Sequence, residues 1–194
     1  MLYRIFKIVR KLKEYQHRLY VKLMLIYYFN ISKKRFVIKP SIVIGKRFSI
    51  NSDITLTTIS IEEQVWIRDD FKVRIGNNGK LKIGNNCFFN NNCSINCLND
   101  IEIGNYCQFG ENVSMYDHNH GYRDKDKLIS EQGYNIGAIK IGNNCWIGSN
   151  VVILKAIEIG DNVVIGTGCI IYNSIESDSI VINQQNLLVK KNSL

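Results

Sequence analysis

The sequence predicts an all-β solenoid, in which short strands and tight turns repeat as the sides of a stacked prism. Three observations carry that reading. The tetrad Ile-Gly-Asn-Asn begins at Ile75, Ile83 and Ile141, with close variants at Ile103 and Ile159. Aliphatic or aromatic residues then recur every six positions, as in Ile103, Phe109 and Met115, or Ile141, Ile147 and Ile153, or Ile159, Ile165 and Ile171. Small or β-branched residues recur with them at Cys87, Cys93, Cys107, Val113, Cys145, Val151, Val163 and Cys169.

A period of six suits neither an α-helix nor an ordinary hairpin sheet, but it suits a coil built from three short sides. Ile141 and Ile159 are 18 residues apart, one coil of three six-residue sides, while Ile83 and Ile103 are 20 apart, a coil with two extra residues. The aliphatic residue points into the prism and the small residue fills the tapering interior beside it. Gly and Asn belong at the corners, because Gly tolerates positive φ and Asn visits the left-handed region more readily than most residues. Before Ile75 the pattern is fainter, through Ile44, Ile50, Leu56, Ile61, Val65, Ile67, Phe71 and Val73.

Residues 1–36 form a separate basic segment. They hold ten Lys or Arg and one acid, Glu14, whereas the remaining 158 residues are nearly neutral at −1. Leu2, Ile5, Val9, Leu12, Gln16, Leu19, Leu23 and Ile26 recur at steps of three and four. That spacing predicts an amphipathic helix over residues 2–29. Its charges interrupt any signal-peptide core, and no small-residue cleavage site follows. The longest uncharged stretch of this segment, Leu23 to Ser32, covers ten residues, against the ~18 a membrane span requires. Such a helix packs on its own domain or a partner's helix, lies on an anionic membrane face, or, as the least favoured reading, binds nucleic acid. With the charge confined to this segment, the protein as a whole is not a nucleic-acid binder. The solenoid runs over 37–182, and 183–194 is a tail.

The period breaks in one polar excursion, residues 116–138, which carries two of the three histidines, His118 and His120. A long loop on a rigid solenoid is more often functional than decorative. Imidazole accepts and returns protons near neutral pH, and Asp117 is placed to orient it. From spacing alone, a solvated loop with incidental histidines stays open beside a catalytic base.

These motifs resemble the hexapeptide-repeat acyltransferases over residues ~40–182, and most closely the bacterial sugar O-acetyltransferases related to galactoside and maltose acetyltransferases. The resemblance implies a left-handed parallel β-helix, a homotrimer with active sites between subunits, and acetyl-CoA as co-substrate. It implies a catalytic histidine just after Gly110-Glu111-Asn112-Val113, assigned to His120 with His118 as the other candidate and Asp117 as orienting carboxylate. Trp146, Gly148 and Ser149 would lie beside the thioester, and Gly166, Thr167 and Gly168 along the pantetheine arm. Many relatives end in a Gly-Asn-Pro-Ala-Lys type segment. Here Asn183-Gln184-Gln185-Asn186-Leu187 replaces it, leaving Lys190 and Lys191 as point charges for the coenzyme's phosphates.

The implied reaction is acetyl transfer to a sugar hydroxyl of a bacterial surface polysaccharide or its precursor. Rival acceptors are a nucleotide-linked amino sugar and an antibiotic hydroxyl, and a non-catalytic trimeric scaffold is the alternative outside enzymology. Five of the six cysteines fall on the small inward position and Cys97 does not. Thiols in that register read as buried small hydrophobes in a reducing cytoplasm, not as disulfides. No metal is expected, because the carbonic anhydrases built on this repeat need three histidines on adjacent coils.

Overall fold

The computed structural model describes residues 36–52, 56–76 and 78–184, together with residues 9, 12, 16, 19–21 and 23–27 of the N-terminal segment. The chain winds through three parallel sheets in strict rotation. The first sheet stacks Phe36–Ile38, Thr58–Ile61, Lys80–Ile83, Asp100–Ile103, Ile139–Ile141 and Ile157–Ile159. The second runs from Val43–Ile44 to Ile180–Val181 and includes Gln108–Phe109, Trp146–Ile147 and Val164–Ile165. The third includes Ser94–Cys97, Ser114–Tyr116, Val152–Ile153 and Ile170–Ile171. Pairing is in register throughout: Ile103 opposes Ile83 and Ile141, and Phe109 opposes Phe89 and Ile147. Rungs of a parallel sheet lie roughly 4.8 Å apart, so every inward side chain sits on its counterpart from the neighbouring coil.

Each letter of the repeated tetrad has its own physical task. Ile83, Ile103, Ile141 and Ile159 are buried in the prism. A Cβ on Gly84 would meet the Gly104 carbonyl oxygen at 2.6 Å, and one on Gly104 would meet that of Gly142 at 2.5 Å. Glycine is therefore required by the close approach of consecutive coils. The left-handed residue comes two positions later: φ is 58° at Asn86, 62° at Tyr106, 54° at Asn144 and 56° at Asn162. The corner expectation divides accordingly, with Gly supplying room and Asn supplying the turn. The first Asn builds a ladder, in which Asn85 N–H donates to Asn105 Oδ1 at 2.8 Å and Asn105 N–H to Asn143 Oδ1 at 2.9 Å.

The interior is closed by Phe71, Phe89 and Phe109, with ring centroids 5.0 and 4.4 Å apart. The cysteines earn their positions by a bond that valine lacks. The Sγ–H groups of Cys87, Cys107 and Cys145 donate to the carbonyls of Gly104, Gly142 and Gly160, each at 3.1 Å. All six thiols are free and buried. Burial pushes the Cys93 thiol up to about 11, so it is protonated at neutral pH and has little nucleophilic character. Cys97 corrects the sequence reading: it is buried, opposes Ile75, and donates to the Lys80 carbonyl at 3.2 Å. The two extra residues of its coil extend the strand to Ser94–Cys97, and two-residue alternation turns Cys97 inward behind Ile95.

Outside the prism, the second sheet carries a column in register, apolar except at Gln108 and exposed except at half-buried Phe88 and Val164: Val43, Trp66, Phe88, Gln108, Trp146, Val164 and Ile180. The first sheet instead carries charge, including a Lys82–Glu102 pair at 2.6 Å. Described positions of the N-terminal segment are helical. Met24 packs against the core, while Val9, Leu12, Leu19, Leu23 and Ile26 are exposed. Among the described residues, no helix is long and apolar enough to cross a membrane.

Candidate active site

The excursion leaves the solenoid at the corner between the third and first sheets. Tyr116 still belongs to the third sheet, opposite Asn96. Two-residue alternation carries inward from Met115 to Asp117, which is fully buried. Burial of a carboxylate demands hydrogen-bonding partners, and Asp117 has them. It accepts from the Leu98 N–H at 2.8 and 3.0 Å and from the Asn99 N–H at 2.7 Å. Its Oδ1 lies 2.9 Å from Nδ1 of His118. The Gly137 N–H donates to the Asp117 carbonyl at 2.8 Å, tying the end of the excursion to its start.

The carboxylate assigned to orient the base thus bonds His118, its chain neighbour, rather than His120. The reason is steric: Asp117 is fixed in the corner by the backbone of residues 98 and 99, and only the adjacent ring can reach it. With Nδ1 as the donor, His118 presents Nε2 as an acceptor.

His118 and His120 stand on the same side of one short strand, as residues two apart must. That strand, His118–His120, pairs antiparallel with Tyr134–Ile136, setting Tyr134 opposite His120. The tyrosine ring is shared: its centroid lies 4.7 Å from that of His120 and 5.3 Å from that of His118. Beyond the hairpin, Gln132 clamps the loop. Its Nε2 donates to the carbonyls of Asp124 and Lys127, and its Oε1 accepts from the Asp124 N–H. The result is a polar cleft of about 490 Å³ lined by His120, Asn119, Tyr122, Arg123, Asn135 and Lys155, among others. Sequence reasoning missed Tyr134, Gln132 and Lys155. The only available signal was alternation within the excursion, which pairs Tyr134 with the histidines once a hairpin is assumed.

The residues assigned to the coenzyme gather elsewhere. Trp146 is 59% exposed on the outer face of the second sheet. Gly148 and Ser149 follow at the corner between the second and third sheets. Gly166, Thr167 and Gly168 stack beneath them, close enough that a Cβ on Gly148 would meet the Thr167 nitrogen at 2.7 Å. The Gly148 N–H is committed to the Ile165 carbonyl at 2.7 Å. Ser149 Oγ accepts from the Glu111 N–H at 3.1 Å, and the Ser149 N–H has no hydrogen bond among the described residues. This corner and the histidine corner are the two ends of the third sheet. Among the described residues, no hydrogen bond or ring contact joins the two groups. Lys190 and Lys191 lie outside the described residues. No cluster of metal-ligating side chains occurs among the described residues.

Residues 138–173 match the family described as bacterial transferase hexapeptide (six repeats). A probable acetyltransferase of Mycobacterium tuberculosis is 26% identical over 127 residues, covering 66% of this chain and 42% of that protein. The chain therefore spans less than half the length of that curated relative. Among solved structures, a variant of AntD, an N-acyltransferase from Bacillus cereus in complex with dTDP and coenzyme A, superposes with a TM-score of 0.55. It is 13% identical over 78% of this chain and 84% of that one. A maltose O-acetyltransferase from Clostridium difficile is 23% identical over 92% and 88% of the two chains, with a TM-score of 0.47. Residues 138–173 thus carry the hexapeptide repeat, and the chain folds as a parallel β-solenoid, consistent with the left-handed β-helix of such acyltransferases.

Proposed function

We propose that the protein is an O-acetyltransferase that moves an acetyl group from acetyl-CoA to a sugar hydroxyl of a surface polysaccharide or its precursor. The observation that carries this reading is the pair of imidazoles on one strand face, with His120 lining a polar cleft and His118 bonded to a buried carboxylate. Acetyl-CoA supplies an activated thioester. His120 removes the hydroxyl proton as the oxygen attacks the carbonyl carbon. The Ser149 N–H, unused by the coil ladder, receives the developing oxyanion. His120 then returns its proton to the thiolate as the C–S bond breaks. Orientation of both substrates at one site removes any need for a covalent intermediate. His118 as the base is the second reading, favoured by its bond to Asp117.

After Trp146 the corner is built from the small residues Gly148, Ser149, Gly166, Thr167 and Gly168, which suits a thin pantetheine arm. Because the two groups of residues occupy different corners of one prism, the reading requires a neighbouring subunit to complete the site. A homotrimer supplies it, and the largely apolar column from Val43 to Ile180 is the surface such an assembly would cover. The test is calorimetric binding of acetyl-CoA followed by thiol release across a panel of acceptors. Micromolar binding and acceptor-dependent release are expected. A protein that binds no acetyl-CoA is a scaffold and not an enzyme.

The basic N-terminal segment suits work at the cytoplasmic face of a membrane, where lipid-linked glycans are assembled. Its exposed Val9, Leu12, Leu19, Leu23 and Ile26 provide an apolar face, and its ten basic residues each add about 1 kcal/mol near anionic lipid. Full-length protein should float with phosphatidylserine vesicles and a protein lacking residues 1–30 should not. Equal flotation of the two would remove this part of the reading.

A further inference from the structure

The cleft beside His120 is charged in a way that the reaction does not require. Arg123, Lys127 and Lys155 line it, with Asp124 and Glu131 as the only acids. Lys127 pairs with Asp124 at 3.1 Å. No ion pair among the described residues engages Arg123 or Lys155. The two cations come from different walls: Arg123 from the excursion, and half-buried Lys155 from the solenoid corner after Ile153. Even counting Glu131, the cleft keeps a surplus of positive charge. Its other groups suit a sugar, with the Asn119 and Asn135 amides for hydroxyls and the exposed Tyr122 ring for an apolar sugar face.

We propose that the acceptor is an acidic sugar, whose carboxylate or phosphate is held between Arg123 and Lys155 while a hydroxyl faces His120. The inference rests on the reading of this cleft as the acceptor site. A planar guanidinium with a flexible ammonium opposite it is a suitable clamp for an oxyanion. The coenzyme's own phosphates are the competing anions. They lie at the far end of the pantetheine arm from the reacting thioester, so cations beside the base face the acceptor.

The experiment compares matched pairs: galacturonic acid with galactose, and glucose 6-phosphate with glucose. Binding is read by calorimetry and turnover by thiol release with saturating acetyl-CoA. At low ionic strength the acidic member of at least one pair should bind about tenfold or more tightly, as charge-assisted hydrogen bonds imply. Which pair responds tells carboxylate from phosphate. Added salt should erode the preference, and the double variant Arg123→Gln, Lys155→Gln should bring the ratio of acidic to neutral binding close to one. Equal binding within both pairs overturns the proposal. So does a double variant that keeps the preference but raises KM for acetyl-CoA, since the cations would then serve the coenzyme. Thiol release from neutral acceptors without any acidic preference sinks this proposal and spares the acetyltransferase reading. Acidic preference in binding with no release from any acceptor sinks the acetyltransferase reading, and with it the acceptor role, and leaves only a cleft that binds acidic sugars.

Discussion

Replacing His120 with alanine lowers kcat by about 10²- to 10⁴-fold, the range expected for loss of a general base, and leaves the melting temperature close to that of the parent. The side chain is exposed in the cleft and touches only Tyr134 among the rings around it, so little packing is lost with it. The His118→Ala variant separates the two readings of the site. His118 bonds Asp117 and packs edge-on against the tyrosine that His120 also touches. If His118 only positions its neighbour, its removal costs about tenfold, with a shifted pH profile and a nearly unchanged KM for acetyl-CoA. A larger loss from His118→Ala than from His120→Ala would move the base to His118. The same variants test the shared site. Subunits carrying only His120→Ala and subunits carrying only Trp146→Ala should be inactive alone and regain activity when mixed and reassembled. Mixing without recovery would show that both residues serve one subunit's own site.

The second large effect is on stability. Phe89→Ala should destabilise the fold by about 3–5 kcal/mol, as phenylalanine truncation in a packed core does. At this chain length that corresponds to a fall in Tm of about 6–20 °C. Phe89 is fully buried, stacked on Phe109 and edge-on to Phe71, so its removal leaves a cavity that two rigid rings cannot collapse into. Thermal unfolding followed by circular dichroism measures it. Phe89→Leu, which keeps most of the volume, should cost less than half as much. A variant with an unchanged Tm would mean that the aromatic column is not under the packing constraint its geometry implies.

The solenoid was readable from the sequence because its determinants lie close together along the chain. A side of six residues, an inward aliphatic and a small neighbour all fall within one short window, and the window repeats. The division of labour at the corners was less readable. Gly and Asn were both assigned to positive φ, but Gly84 and Gly104 answer to the carbonyl of the next coil, a contact spanning 20 or more residues. Cys97 was misread for a related reason, since a strict period of six cannot follow a coil with two extra residues.

At the site, the loop and its histidines stood out because the period failed there. Which imidazole meets Asp117, and that Tyr134 lies between the two rings, depends on how the excursion folds back as a hairpin.

Inward and outward positions, the stacked coils and the one place where function would break the pattern are thus properties of local spacing, decided residue by residue as each side is laid down. The partner of Asp117, the gathering of Arg123 and Lys155 into one cleft, and the placing of Trp146 and the histidines at different corners are decided only when the coils stack. Each of those relations joins a loop or corner to residues outside its own side of the prism, where no period constrains the sequence and packing alone sets the geometry.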